Sequence, residues 1–488
     1  MTISKMYGTA VIFNTTRGPF LPAFGLEEAG TLAPVDSRHS SAERLSVGFE
    51  TLDRELFDPE ECYELLGKSG VKWARCQSGW SRCEKTPGVY DFAWLDRVVD
   101  RFCELGIRPW LGLTFGNRLY SPDAKHPSAV GCPPVCYGER AVRAWENFVR
   151  AVVDRYRGRV SCFEIWNEPD NRQFWGPGAP SLDQYLELVR ITSAVIRKTN
   201  PEAEIVAGAF AEAANAVECL KRGMGEMCDI LSYHTYTMYP EFYSGNTAAY
   251  LQEAIRTFAP HLKLWHGESG CPSESKDHYD EWIRLYRSSQ EIQAKWLARR
   301  IATDFRNDLE LFSYYHASDL TLHPYVNGEG IPTKVGRMGL IQAPGAVPKL
   351  SYRVMQNFCA LFDSRLEKHA LFARPCYDNV YEPCVSPETP RDFFTSLLVD
   401  TYTRNGWPLY LYYYPGDLQR SETLAALWGN SFQIRAEKEI TEPVLVDMLN
   451  GAIYRFWRFE ANGENLGIKY LPVTDYPLVL TDRKALTE

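Results

Sequence analysis

The sequence predicts an α/β protein in which a (β/α)8 barrel is followed by a C-terminal antiparallel β-sandwich. Between residues 40 and 350, apolar segments of strand length alternate with segments that carry helix signals. Such alternation is typical of a parallel sheet covered by helices. The strand candidates number eight, which is the number that closes this kind of barrel. Past residue 350 the apolar runs become short and alternate with polar residues, as in antiparallel sheets.

Each predicted barrel strand is a short apolar run, as expected for a strand that is buried on both faces. The eight segments are 45–52, 71–77, 108–115, 160–167, 204–210, 229–236, 262–268 and 311–316. Helix-start signals lie between them: Asp58 precedes Pro59, Ser181 opens a helix, and Ser288 forms a capping box with Glu291. Side chains of these types satisfy the free N–H groups of a first helical turn.

The chain is predicted to divide into three parts. Residues 41–350 form the barrel, and residues 351–488 form the β-sandwich. Residues 1–40 contain a strand-like run at 9–14 that could add a strand to the sandwich. The predicted sandwich strands are 408–414, 423–428, 443–448, 452–459 and 466–469.

Composition excludes several classes of protein. The 488 residues carry a net charge of −9 without a basic run, which argues against a nucleic-acid partner. No window approaches the ~20 apolar residues of a membrane span. The 13 cysteines are scattered, and residues 1–7 lack the apolar core of a signal peptide. We therefore expect reduced thiols and a cytoplasmic location. Cys132 and Cys136 lack two further ligands nearby, so neither a metal nor a cofactor is predicted.

Two glutamates stand at the ends of predicted strands. Glu168 follows Asn167 at the end of the fourth strand, where Pro169 interrupts the strand, and Glu268 ends the seventh. The carboxyl ends of all strands meet at one rim of a barrel. Paired carboxyl groups at one rim are the arrangement that hydrolysis of a glycosidic bond requires. Taken singly, Glu168 could instead form a rim salt bridge or cap a helix.

Other polar residues are predicted to support Glu268. Tyr236 and His234 lie at the end of the sixth strand, and Arg75 lies near the end of the second. A tyrosine hydroxyl or an arginine charge beside a carboxylate keeps that carboxylate ionised. His234 could alternatively be a packed core histidine. Glu164 is predicted to be a structural carboxylate deeper in the barrel.

Several motifs of the chain resemble one group of enzymes. The sequence Phe-Glu-x-Trp-Asn-Glu-Pro at 163–169, His-x-Tyr at 234–236 and Glu268 resemble retaining glycoside hydrolases of clan A. Within that clan the chain is most similar to the β-xylosidase and α-L-iduronidase family. The segments that carry this closer resemblance are 90–96, 312–319, 339–341 and 348–352.

The resemblance implies a role for each matching residue. Glu168 matches the general acid/base, Glu268 the nucleophile, and Asn167 the residue that holds the sugar 2-hydroxyl. The residues that match the support around the nucleophile are Arg75, His234 and Tyr236. The implied reaction is hydrolysis of a glycoside or oligosaccharide through a covalent glycosyl-enzyme, with no cofactor.

Two positions depart from the family pattern. Gln77 stands where the family has a histidine, and Tyr315 stands where a tryptophan usually lies under the sugar in the −1 subsite. A tyrosine covers less of a sugar face and adds a hydroxyl, and a glutamine does not titrate. We therefore expect weak activity on β-xylosides and better activity on another glycoside, such as a hexoside. Further subsite candidates, each of which could instead be a packing residue, are Trp80, Asn117, Trp175, His316 and Asp319.

Two alternative functions fit a barrel of this kind. His234, His266 and His316 fall at or near strand ends, as in metal-dependent hydrolases. Such sites usually also have a His-x-His pair on an early strand, and residues 47–51 contain none. A non-catalytic carbohydrate-binding barrel is the other alternative, although it would more naturally have lost one of the two carboxylates.

Overall fold

The structure is a computed structural model, and it describes most of the chain. The described residues are 12–14, 26–276, 278, 281–321, 335–375, 397–418, 424–427, 431–435, 438, 440–456, 459–462, 465–469 and 471–487. The chain forms two compact units. The barrel unit comprises Asp36–Tyr286 and Thr303–Lys349, and the sandwich unit comprises Met1–Val35, Arg287–Ala302 and Leu350–Glu488.

The barrel unit contains a closed barrel of eight strands, so the predicted fold class is confirmed. We number its strands β1 (Leu45–Gly48), β2 (Trp73–Gln77), β3 (Arg108–Leu113), β4 (Cys162–Ile165), β5 (Glu204–Phe210), β6 (Ile230–His234), β7 (Lys263–Ser269) and β8 (Leu311–Tyr314). Neighbouring strands pair in parallel, and the pairing of Phe312 with Leu45 closes the barrel between β8 and β1.

Several strands end earlier than predicted. The first was predicted to reach residue 52, but β1 ends at Gly48. Thr51 has a left-handed backbone with φ of 73°, and Leu52–Arg54 forms a 3₁₀ turn. The residues that the prediction assigned to strand ends therefore form the rim of the barrel.

Helices separate the barrel strands as predicted. They span Tyr63–Gly67, Trp80–Cys83, Ala93–Glu104, Gly138–Arg155, Leu182–Thr199, Ala213–Lys221, Gly245–Phe258 and Gln290–Arg306. A further helix, Leu350–Leu361, follows the last barrel strand and belongs to the sandwich unit. Ser181 caps its helix by accepting the N–H of Gln184. The predicted cap at Ser288 is displaced by one residue, because Ser289 accepts the N–H of Ile292 at 3.1 Å. No helix of the described residues is long and apolar enough to cross a membrane.

An apolar layer fills the amino-terminal half of the barrel. Its buried members are Trp73, Trp110, Cys162, Val206, Ile230, Trp265 and Leu311. The rings of Trp73 and Trp110 lie 5.7 and 5.2 Å from that of Trp265. Close packing of this end leaves the carboxyl ends of the strands for polar side chains.

The sandwich unit is built from antiparallel sheets, as predicted. Its seven-stranded sheet has the order Leu366–Lys368, Leu398–Arg404, Trp407–Tyr413, Leu478–Asp482, Pro443–Asp447, Ala452–Phe456 and Leu26–Thr31. A four-stranded sheet contains Phe372–Pro375, Ser431–Arg435, Asn465–Lys469 and Glu460–Asn462, and a three-stranded sheet contains Ile12–Asn14, Leu424–Leu427 and Pro472–Thr474. The buried rings of Tyr410, Tyr412 and Tyr454 pack in its core with Leu445 and Leu480.

The sandwich unit also includes part of helix Gln290–Arg306, which the sequence assigned to the barrel. Buried polar contacts hold that part: Lys295 pairs with Asp475 at 3.1 Å, and Gln293 accepts a hydrogen bond from Ser351 at 2.8 Å. The domain boundaries drawn from the sequence stay a prediction.

Candidate active site

A cavity of about 550 Å³ opens at the carboxyl ends of the barrel strands. Seven of the predicted site residues line it, namely Gln77, Asn167, Glu168, His234, Tyr236, Glu268 and Tyr315. Arg75 is almost fully buried and is hydrogen-bonded to two of them, Asn167 and Glu268. The structure thus brings the two glutamates and their predicted supporting residues into one site.

The backbone after β4 turns Glu168 towards this cavity. Trp166 and Glu168 have left-handed φ angles of 70° and 41°, a strained conformation that is common at functional sites. The N–H of Glu168 donates to the carbonyl of Ala209 at 3.0 Å. Its Oε1 lies 3.0 Å from Nδ1 of His234, and its Oε2 accepts a hydrogen bond from Asn171 at 2.7 Å. Both carboxyl oxygens of Glu168 are therefore held in place.

Glu268 on β7 is surrounded by groups that favour its ionised form. The Tyr236 hydroxyl donates to Oε1 at 2.7 Å, and Nη1 of Arg75 donates to Oε2 at 2.6 Å. Burial raises the pKa of this carboxyl, but the charges of His234 and Arg75 and the hydrogen bond from Tyr236 outweigh it. The pKa of Glu268 consequently lies below its usual value. A nucleophilic carboxylate needs this property.

The two carboxyl groups lie close together. One oxygen of Glu168, one of Glu268 and a ring nitrogen of His234 all lie within 4.8 Å of one another. Carboxyl groups ~5–5.5 Å apart are typical of retaining glycosidases, and inverting enzymes separate theirs by ~6.5–9.5 Å. Two oxygens within 4.8 Å are compatible with the shorter of these spacings.

Arg75 joins the site to two further carboxylates. Its guanidinium donates to Glu164 at 2.8 Å and to Glu50 at 2.9 Å, in addition to Glu268. It also fixes Asn167 by donating to the side-chain oxygen at 2.9 Å. Glu164 is completely buried, as the sequence predicted. One cation therefore serves three carboxyl groups, of which Glu50 and Glu164 are buried.

Glu50 lines the cavity and was missed by sequence reasoning. Burial raises the pKa of Glu50 to about 7, although the charge of Arg75 lowers it. Its Oε2 is buried and has no hydrogen-bond partner among the residues that the structure describes. A Cβ at Gly48 would lie 2.3 Å from that oxygen, so any other residue there would force the Glu50 carboxyl to move. The sequence carried a signal, since Glu50 is an acidic residue near the carboxyl end of a predicted strand, as Glu268 is.

Replacing Glu50 with glutamine is expected to change how stability depends on pH. The folded chain holds this proton up to about pH 7, whereas the ordinary pKa is 4.5. The unfolded chain therefore releases the proton first, and the wild type loses stability as pH rises between these two values. Glutamine does not titrate. Melting temperatures measured from pH 4 to 8 should show the wild type falling relative to Glu50→Gln, and a constant difference would contradict the assignment.

Replacing Tyr236 with phenylalanine is expected to move the acid limb of the kcat/KM profile to higher pH. The Tyr236 hydroxyl lowers the pKa of Glu268, so its removal raises the pH at which that carboxylate becomes protonated. A pH profile on an aryl glycoside measures this shift. The control is Tyr250→Phe, because that ring is 50% exposed and lies outside the cavity. An acid limb that does not move would show that Tyr236 does not tune Glu268.

Gln77 and Tyr315, the two departures from the family pattern, both border the cavity. The Gln77 side-chain oxygen accepts hydrogen bonds from Arg54 at 2.6 Å and from the N–H of Thr51 at 3.2 Å. This arrangement leaves the amide nitrogen of Gln77 as the group that can face a ligand.

The structure places the other subsite candidates away from this cavity. Trp80 is buried among Tyr120, Trp145 and Phe148, and its indole donates to Glu84. The side chain of Asn117 donates to the backbone carbonyls of Trp80 and Glu84, in the segment that follows β2. Neither residue lines the catalytic cavity.

Three more candidates are also held by the protein itself. His316 lies 3.0 Å from the carbonyl of Glu50, and burial lowers the pKa of its ring to about 4. Asp319 is fully buried and pairs with Lys349 at 2.6 Å. Trp175 is buried and lines a second cavity instead. These residues lie near strand ends in the sequence, and in the structure they support the rim of the barrel.

Trp282 is a second cavity residue that sequence reasoning missed. Its side chain is 43% exposed and lies beside Tyr236, with the ring centres 6.0 Å apart. A partly exposed indole at a cavity mouth is suited to packing against a sugar face. The sequence did contain a signal for this residue, namely a tryptophan within the polar loop that follows β7.

The histidines of the metal-dependent alternative do not converge. His266 binds Asp304 at 2.9 Å inside the barrel, and His316 is bound by backbone groups. Glu168, His234 and Glu268 do have the donor types of a metal site. Arg75 and Tyr236, however, already bind both oxygens of Glu268. The donor set therefore suits acid–base chemistry better than a cation.

An eight-stranded barrel with paired carboxyl groups beyond β4 and at the end of β7 is an arrangement that glycoside hydrolases use. The profile of glycosyl hydrolases family 39 matches residues 81–371. The chain belongs to this family, which is part of clan A.

Individual relatives agree with this assignment. Over 359 residues the chain is 24% identical to a β-xylosidase of Caldicellulosiruptor saccharolyticus, covering 68% of this chain and 69% of that protein. It is also 28% identical over 145 residues to the β-galactosidase BgaA of Clostridium cellulovorans, covering 26% of this chain and 22% of that protein.

Solved structures show the same fold. A family 39 glycoside hydrolase from Bacteroides cellulosilyticus WH2 matches with a TM-score of 0.63 at 17% identity, over 93% of this chain and 83% of that one. A family 39 β-xylosidase from Caulobacter crescentus matches with a TM-score of 0.55 at 18% identity, over 93% and 98% of the two chains.

Proposed function

We propose that this chain is a retaining glycosidase that acts by double displacement, with Glu268 as nucleophile and Glu168 as general acid/base. The observation that carries the proposal is the placement of oxygens of both carboxyl groups within 4.8 Å of each other. An inverting enzyme would need a wider gap for water.

In the first step, ionised Glu268 attacks the anomeric carbon and forms a glycosyl-enzyme ester, while Glu168 gives its proton to the leaving oxygen. In the second step, Glu168 takes a proton from water, and the resulting attack on the anomeric carbon releases Glu268. Arg75 fixes Asn167 through the 2.9 Å hydrogen bond, in a position to bind the sugar 2-hydroxyl. His234 lies 3.0 Å from Glu168 and 3.8 Å from Glu268, and so positions both groups.

Proton NMR of the first-formed sugar tests the mechanism. Hydrolysis of an aryl glycoside should release the anomer that has the configuration of the substrate. Release of the opposite anomer would overturn the assignment of Glu268 as nucleophile. A panel of aryl β-glycosides and α-L-glycosides first identifies a usable substrate.

The same panel tests the proposed sugar preference. Gln77 and Tyr315 replace a histidine and a tryptophan of the family pattern, and both line the cavity. We propose that a hexoside is hydrolysed with a higher kcat/KM than the corresponding β-xyloside, because a changed hydrogen-bond set alters discrimination between hydroxyl patterns. A preference for the xyloside over every hexoside would refute this proposal and leave the mechanism standing.

Exhaustive treatment with EDTA is expected to leave activity unchanged. The charges of His234 and Arg75 and the hydrogen bond from Tyr236 stabilise the ionised form of Glu268, so this carboxylate needs no bound metal ion. The measurement is kcat/KM before and after chelation, with metal content determined on both samples. Loss of activity that Zn²⁺ or Mn²⁺ restores would instead favour the metal-dependent hydrolase.

A further inference from the structure

A second cavity of about 1090 Å³ adjoins the catalytic one. Its walls come from loops at 123–132 and 172–178, which follow β3 and β4. Arg54, Leu56 and Gln173 line both cavities. The two cavities are therefore neighbours, bordered by the same three residues.

The second cavity lies on the side of the general acid. Gln173 and Trp175 follow Glu168 in the same loop, and Asn171 of that loop donates to the Glu168 carboxyl at 2.7 Å. A general acid protonates the leaving oxygen of its substrate. The leaving group must therefore lie beside Glu168, where the loop leads into the second cavity.

The lining of the second cavity differs from that of the first. Polar and apolar surface are nearly balanced around the catalytic cavity, whereas apolar surface dominates the second. The apolar wall includes Leu56, Val130 and Trp175. The charged residues Lys125 and Arg172 are exposed, where water can solvate them. Asp53 and Arg54 also line the cavity, but they pair with each other at 3.2 Å. A sugar that lay along the apolar wall would leave hydroxyl groups on that side without partners, at a cost in binding.

We propose that the second cavity binds the leaving group, and that it selects a bulky apolar aglycone, alkyl or aryl, over a second sugar. The inference rests on the proposed function, because it requires Glu168 to be the general acid. Such a preference would set this chain apart from enzymes that release one sugar from another.

Three substrates with the same first sugar test the proposal: a methyl glycoside, an octyl glycoside and a disaccharide. Methyl and octyl leaving groups are both simple alkoxides, so their comparison isolates apolar size from leaving-group chemistry. We expect kcat/KM for the octyl glycoside to exceed that for the methyl glycoside by at least ~10-fold, and also to exceed that for the disaccharide. Equal values for octyl and methyl, or a preference for the disaccharide, would overturn the proposal. No hydrolysis of any of the three would instead count against the proposed function.

A pair of variants locates the effect in the cavity. Val130→Asp places a charge in the apolar wall and should reduce the octyl-to-methyl ratio to near 1. The matched control Val89→Asp changes a residue that is 62% exposed and lies outside both cavities, and it should keep the wild-type ratio. An unchanged octyl-to-methyl ratio in folded Val130→Asp would show that the alkyl chain binds elsewhere. If that variant does not fold, the comparison of the three substrates with the wild type decides the question.

Discussion

Replacing Glu268 with alanine is expected to lower kcat by at least ~10⁴-fold, since the removed group is the one that forms the covalent intermediate. Azide should restore part of the activity, because a small anion fits the space that the carboxylate leaves and attacks the anomeric carbon directly. The glycosyl azide formed should have the inverted configuration. Steady-state kinetics and NMR of the product measure both effects.

The control for this variant is Glu226→Ala, which removes an exposed carboxylate outside the cavity and should retain wild-type kcat. Thermal melts should show that Glu268→Ala remains folded, because Arg75 keeps its contacts with Glu164 and Glu50. Full activity of a folded Glu268→Ala protein would refute the assignment.

Replacing Glu168 with alanine is expected to affect substrates according to their leaving groups. An alkyl glycoside needs proton donation, so its kcat/KM should fall by about 10²–10⁴-fold. A dinitrophenyl glycoside leaves without a proton, so formation of the glycosyl-enzyme should remain fast while its breakdown becomes slow. A burst of phenolate in stopped-flow measurements reports this change.

Azide also distinguishes the two variants. With Glu168→Ala, azide replaces water in the second step and should give a product of retained configuration. Equal losses for the alkyl and dinitrophenyl substrates, or a product of inverted configuration, would contradict the role of Glu168 as acid/base.

The barrel and its two glutamates could be predicted from sequence because both depend on local patterns. Parallel strands buried on both faces form apolar runs, and the residue after such a run lies at the rim. Glu168 and Glu268 satisfy this rule. Tyr236 and Arg75 were predicted by the same logic, and hydrogen bonds of 2.7 and 2.6 Å now connect them to Glu268.

Burial of loop residues could not be predicted in this way. Trp80 and Trp282 both follow barrel strands, and only their surroundings distinguish them. Helix Gly138–Arg155 brings Trp145 and Phe148 against Trp80 and buries it, while Trp282 stays at the cavity mouth. The role of Glu50 likewise depends on its burial beside Arg75 of the neighbouring strand, which the sequence alone does not reveal.

The guanidinium of Arg75 makes four positions mutually dependent during evolution. Glu50, Glu164, Asn167 and Glu268 all hydrogen-bond to it, and residues that share one partner show non-additive mutational effects. A change at Glu50 therefore alters how strongly Arg75 interacts with the other three residues. The effect of that change on fitness depends on which residues already occupy those three positions. Substitutions at these four positions must therefore occur in a particular order. Homologous active sites should differ here in whole sets of residues rather than in one residue at a time.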